Sequence, residues 1–169
     1  MTEQRRRTVG IVGGTRCSEA ETKLAFEAGR QLARFDAVLV CGGGAGVMEA
    51  ACSGAKTAGG MTLGILPGTG PESSKPNPHL DLVVYTGMGQ ARNQVIVLSS
   101  NAVIAIGGEW GTLSEIGLAM KHQIPLVLLE SWSVEGPDGQ GLGEIPRAAS
   151  AKEAVAKAFR LIEGSSPAP

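Results

Sequence analysis

Cysteine, aromatic residues and net charge are all scarce in this chain. Only 3 of its 169 residues are cysteines. Cys17, Cys41 and Cys52 are odd in number and lack CxxC or CxxH spacing, which argues against a disulfide framework or a zinc site. They suit a reducing compartment, so a cytoplasmic location is expected. The two histidines, His79 and His122, lie far apart without acidic neighbours and predict no metal site. Net charge is −1 and charged residues make up 18%. No block of like charge extends past Arg5-Arg6-Arg7, so a nucleic-acid surface is not expected. No apolar stretch reaches the ~18 residues that a membrane span needs, and the apolar run at 9–12 is too short for the core of a signal peptide. Aromatic residues are 4% of the chain.

Glycine is what the chain has in excess: 25 of 169 residues, about twice the usual share of ~7%. The glycines cluster directly after apolar runs, as loops with a task or as tight packing points. The length fits a single domain, expected over residues 8–164 between a disordered tail at 1–7 and a frayed tail at 165–169. At that size a chain buries roughly 70% of its unfolded surface and needs no staple.

Residues 8–13 (TVGIVG) are short, β-branched and apolar, as in a strand covered on both faces of a parallel sheet. Ser18 to Glu21 has capping-box spacing and starts a helix, with Leu24, Ala28 and Leu32 as its buried stripe. Further strands are predicted at 36–41, 61–66, 82–85, 101–106 and 124–129. Helices are predicted at 47–59, where small residues (Ala50, Ala51, Gly54, Ala55, Ala58) allow a close approach to the sheet, then at 90–100, from Thr112 to about His122, and at 150–163. Residues 131–148 read as a loop. Alternation of strand and helix gives an α/β, single-domain, doubly wound Rossmann-like parallel sheet with helices on both faces and right-handed crossovers.

Ligands of such sheets bind beyond the carboxyl ends of the strands. Four loops follow strands there: 13–18, 42–46, 86–92 and 107–112. Three are Gly-rich, which lets backbone N–H groups approach a ligand, and a helix N-terminus adds roughly half a positive charge. The combination favours a phosphate. The standard fingerprints are absent: GxGxxG fails at Val47 and at Arg92, and no GxxxxGK[ST] occurs.

Residues 41–51 (CGGGAGVMEAA) resemble the first signature of the LOG-like ("possible lysine decarboxylase") Rossmann family, and residues 107–115 (GGEWGTLSE) resemble its second. Residues 86–93 (TGMGQARN) and 65–68 (ILPG) are similar to the subgroup that includes molybdenum-cofactor carrier proteins. The resemblance runs from about residue 8 to about 129. It implies a phosphorylated ligand, with Gly108, Gly111 and Thr112 on its phosphate and Arg92 and Glu115 as the catalytic pair of the LOG enzymes, which cleave the N-glycosidic bond of nucleoside monophosphates. The ligand-contacting set expected from the loops and the resemblance together is Gly14, Thr15, Gly43, Gly44, Gly46, Met88, Arg92, Asn93, Gly107, Gly108, Gly111, Thr112 and Glu115. Two positions depart from the enzymes. Ile106 stands where they carry Pro, and the stretch Gln90 to Asn93 lacks their Arg-Lys pair. The Arg-Asn version is similar to the carrier subgroup. The resemblance therefore favours binding of a phosphorylated pterin such as the molybdenum cofactor, or of a nucleotide. The alternative is a nucleoside 5′-monophosphate phosphoribohydrolase. Lysine decarboxylation is not expected, and no cofactor is required.

Several residues carry two readings. Thr112 to Glu115 is itself a capping box, so Glu115 either bonds back to the Thr112 amide or faces the ligand. Beside Arg92 it is expected to be ionised, and then it has no proton to give a leaving base. Arg92 is either a surface ion pair or an anion clamp, and Asn93 either a helix-start residue or a ligand contact. Arg16 reads as a solvated surface cation, and Met48 as core. Trp110 either packs against a neighbouring subunit or stacks on a base or pterin. The apolar run 95–98 and the helix carrying Ile116, Leu118, Ala119 and Met120 suggest an interface, and the family resemblance implies a homodimer or homotetramer.

Overall fold

The computed structural model describes residues 5–137 and 145–165. The expected tails fall mostly outside the described residues, which leave out 1–4 and 166–169, and so does residues 138–144 of the expected loop. The elements run β1 (Thr8–Gly13), α1 (Glu19–Arg34), β2 (Val38–Cys41), α2 (Val47–Thr57), β3 (Met61–Leu66), β4 (Leu82–Tyr85), α3 (Arg92–Leu98), β5 (Ala102–Ile106), α4 (Trp110–Lys121), β6 (Leu126–Leu129), β7 (Arg147–Ala148) and α5 (Ala151–Ser165). A single 3-10 turn, Gly89–Ala91, leads into α3.

The seven strands form one sheet in the order β4-β3-β2-β1-β5-β6-β7, and every neighbouring pair is parallel. Strand side chains alternate between two cores, as the two-residue period requires. Ile11, Leu39, Ile104 and Leu129 pack under α1, α2 and α5. Val12, Val40, Val103 and Leu128 pack under α3 and α4 on the other face. The doubly wound parallel architecture expected from the alternating pattern is thus present. The order also marks the place for a ligand. The chain winds outward from β1 to β4 and then crosses back to the other side of β1, so β1 and β5 flank a topological switch point.

The capping box at the start of α1 forms as read: Ser18 accepts from the Glu21 amide and Glu21 from the Ser18 amide. Four expectations need correction. The segment 131–148 is not all loop, because Arg147–Ala148 adds a two-residue edge strand beside β6. The small residues of α2 serve α1 more than the sheet. A methyl at Gly54 would lie 1.8 Å from the Phe26 carbonyl oxygen, and one at Gly29 would lie 1.9 Å from that of Ala51. Helix α4 begins at Trp110 rather than Thr112, with Glu109 as its cap residue, so the Thr112 capping box is not an N-terminus. Finally, the apolar surplus of 95–98 and α4 is only partly exposed. Ile96, Val97, Ile116 and Ala119 are buried, while the exposed apolar side chains include Leu98 of α3, at 50%, and Leu82, Val83 and Val84 of edge strand β4.

Candidate functional site

A cavity of about 520 Å³ opens at the switch point, between the loops that leave β1 and β5 and the turn that enters α3. That volume lies within the ~300–1,000 Å³ typical of small-molecule sites. Its floor and walls include Gly14, Thr15, Gly42, Met48, Arg92, Asn93, Thr112 and Glu115.

The first three amides of α4 belong to Trp110, Gly111 and Thr112, all of which line this cavity. The first turn of a helix has no internal carbonyl to receive such N–H groups. Glu109 is placed to cap them, yet its side chain makes no capping bond. Its carboxylate instead crosses the cavity mouth and accepts from the Thr15 amide at 3.0 Å, the Thr15 hydroxyl at 3.0 Å and Arg16 Nε at 2.9 Å. Arg16 is a solvated surface cation, as expected, and pairs there with Glu109. These donors, Arg16 first, hold the Glu109 carboxyl below the usual carboxylate range. The start of α4 is left bare toward the cavity, with the positive end of the helix behind it.

Arg92, the first residue of α3, closes the inner side. Its guanidinium lies against Gly42, where a Cβ would sit 2.8 Å from Nη2, so the bare glycine makes its room. Arg92 Nη1 donates to Asn93 Oδ1 and stands 3.6 Å from Glu115 Oε1, with the two side chains only 12% and 8% exposed. Asn93 Nδ2 in turn donates to Ser114 Oγ at 2.9 Å. Burial leaves Arg92 Nε with no hydrogen-bond partner, an orphan donor of the kind that native interiors seldom keep. Burial also pulls the Arg92 pKa below its ordinary value, against the opposing charge of Glu115. The Glu115 carboxyl is pushed up to about 7 by desolvation, only partly offset by Arg92. Arg92 favours the ionised form, as expected, while burial opposes it more strongly.

Behind the floor, Cys41 and Cys52 bring their sulfurs to 3.5 Å, and all three cysteines are free. Among the described residues no group of three or more His, Cys, Asp or Glu is placed to hold a metal ion. No described helix is long and apolar enough to cross a membrane.

The open helix start, the buried Arg-Glu pair and the Gly-rich loops lie within a stretch that matches a known family model over residues 6–160. The chain belongs to the SLOG cluster4 family. It is similar to the solved structure of the molybdenum cofactor binding protein from the phototrophic bacterium Rippkaea orientalis, with 35% identity and a TM-score of 0.80 over 96% of this chain and 98% of that one. It is equally similar in fold to the Moco carrier protein from Chlamydomonas reinhardtii, with 33% identity and a TM-score of 0.80 over 96% and 100% of the two chains. In sequence it is 30% identical over 133 residues to a cytokinin riboside 5′-monophosphate phosphoribohydrolase from Mycobacterium tuberculosis, covering 74% of this chain and 71% of that protein. These likenesses bear out the LOG-like assignment and the carrier-like subgroup.

Within this SLOG domain the expected ligand set divides in two. Gly14, Thr15, Arg92, Asn93, Gly111, Thr112 and Glu115 line the cavity. Gly43, Gly44, Gly46, Met88, Gly107 and Gly108 do not, and several have packing tasks. Gly46, at φ 67°, passes so close to the first loop that a Cβ would meet the Gly14 carbonyl oxygen at 2.4 Å. Gly108, at φ 137°, makes room for Trp132, whose Nε1 would lie 2.8 Å from a Cβ. Sequence reasoning passed over Gly42, Gln90, Glu109 and Ser114, which also line the cavity, and it assigned Met48 to the core, where it also lies. Gly42 was legible as the first glycine after β2. Nothing in the sequence pairs Glu109 with Thr15 and Arg16 across more than 90 positions.

Proposed function

We propose that this chain binds a phosphorylated, nucleotide-like small molecule and acts as a carrier of a molybdopterin-type cofactor. The observation that carries the reading is the uncapped start of α4 facing a cavity that also holds a buried guanidinium. Amides of Trp110, Gly111 and Thr112 supply aligned donors, and Arg92 lines the same cavity with a guanidinium fork suited to phosphate oxygens. The carrier role draws on the names of the two solved structures. Thermal stabilisation should follow added ligand by mass action. The experiment is native mass spectrometry of freshly purified protein for a co-purified phosphorylated compound, followed by melting curves with molybdopterin and with AMP. A rise in Tm that disappears in Arg92→Ala supports the site. No rise with any phosphorylated compound overturns it.

A second reading is hydrolysis of a nucleoside 5′-monophosphate to base and ribose 5-phosphate. The raised pKa of Glu115 favours it, since a carboxyl poised near neutrality both gives and takes protons. The Mycobacterium tuberculosis relative points the same way. Release of free adenine from AMP, lost in Glu115→Gln, would establish turnover; its absence alongside binding leaves the carrier.

The same proposal includes a cytoplasmic setting, in keeping with three free thiols, and self-association. Exposed Leu82, Val83 and Val84 make β4 an open apolar edge of the kind that pairs with another chain.

A further inference from the structure

Trp110 is 78% exposed, the highest value among the exposed large hydrophobic residues described. It is the first residue of α4, a position with no need of an indole, and it lines the cavity beside Gly111 and Thr112. Its orientation is supported from outside the cavity. The Trp132 ring packs on it at a centroid distance of 5.3 Å, tilted by 38°. Trp132 is anchored in turn: its carbonyl accepts from Arg147 Nη2 at 2.7 Å, and its ring fills the space left by Gly108. Trp132 does not line the cavity, so a ligand there meets Trp110 alone. Outside its chain neighbours a Cβ at Gly111 would touch nothing within 4 Å, so the first turn of α4 has open space at this position. An exposed aromatic ring, held in place by a second ring at the rim of a polar cavity, is the arrangement that stacking on a heteroaromatic ring uses.

We infer that Trp110 is the specificity-determining platform of this site, stacking on the planar heteroaromatic ring of a ligand whose phosphate sits on the α4 amides. The inference rests on the anion site proposed above and adds the part of the site that tells a ring-bearing phosphate from a plain sugar phosphate. Trp132 serves as a positioning residue that keeps the platform at the rim.

The chain has 2 tryptophans, and both belong to this pair. Indole fluorescence therefore reports on this pair. The test titrates AMP, a phosphorylated pterin and ribose 5-phosphate into the full-length protein and its Trp110→Ala and Trp110→Phe variants, by fluorescence and calorimetry. AMP and the pterin should quench the wild-type signal and ribose 5-phosphate should not. Trp110→Ala should bind the ring-bearing ligands roughly tenfold more weakly, bind ribose 5-phosphate unchanged, and regain most of the loss when the residue is Phe. Equal affinity for the ring-bearing ligands in wild type and Trp110→Ala, with ribose 5-phosphate still bound, overturns the inference but spares the anion site. Failure of all three ligands to bind the wild type overturns both. A smaller sedimenting species in Trp110→Ala with unchanged ligand affinity assigns the indole to a subunit contact and also overturns it.

Discussion

Arg92 and Glu115 form the electrostatic centre of the cavity, and their balance has a pH signature. The Glu115 pKa lies at about 7 in the folded chain against 4.5 for the free side chain. Between those values the native state holds a proton that the unfolded chain has released, so this group stabilises the fold in acid. That contribution is lost as pH rises through about 7. Binding follows the same proton. With Glu115 neutral, Arg92 faces an incoming anion with its charge uncompensated; with Glu115 ionised, the anion meets a like charge beside its clamp. Sulfate, which does not titrate in this window, should therefore bind more tightly as pH falls through about 7. Glu115→Gln should bind it well on both sides of that value. Calorimetric titration across the window checks this, and a wild-type affinity that is flat with pH, or rises with it, would show that Glu115 does not sense the bound anion. Arg92 and Glu115 were legible as residues from their motifs. Their burial was not, because the desolvation that sets the Glu115 pKa comes from distant segments folded over them.

Helices α1 and α2 pack through backbone at two crossed glycines. Neither carbonyl oxygen facing Gly29 or Gly54 is free to rotate away, so an added methyl separates the helices. Gly29→Ala and Gly54→Ala should each destabilise the chain by roughly 1–3 kcal/mol, toward the upper end, despite the better helix propensity of alanine. Thermal melts measure this, and a neutral or stabilising result at either position would mean that the helices sit farther apart than described. Most elements could be read from the sequence because period and punctuation agree there. Strands β3 and β4 carry the bounds expected, and the Ser18 cap lies where its spacing put it. The departures have local causes. In α4 a non-capping Glu109 starts the helix two residues before the residue with better cap chemistry. In β7 two residues are too few to show any alternation. The α1–α2 contact was invisible because a glycine that admits a neighbouring helix looks in sequence like one that admits a sheet.

For the molecule as a whole, strand order was the feature that no local pattern encodes. The sequence supplies β1 to β6 as a list; only long-range pairing places β5 beside β1 and so brings loop 107–112 against loop 13–18. That adjacency makes the cavity. The same order leaves β4 as an outer strand with Leu82, Val83 and Val84 exposed. A soluble monomer seldom leaves such an edge open, so Leu82→Lys combined with Val84→Lys should lower the sedimentation coefficient of the protein. An unchanged coefficient, for wild type and variant alike, would remove β4 from any assembly. At the centre of the sheet, the proposed anion cradle joins main-chain amides of α4 to the Arg92 guanidinium, while the side chains of Gln90 and Trp110 line the rest of the cavity. Exchanges at those two rim residues would thus retune which metabolite is welcomed, because neither alters the peptide groups proposed to grip its charged end.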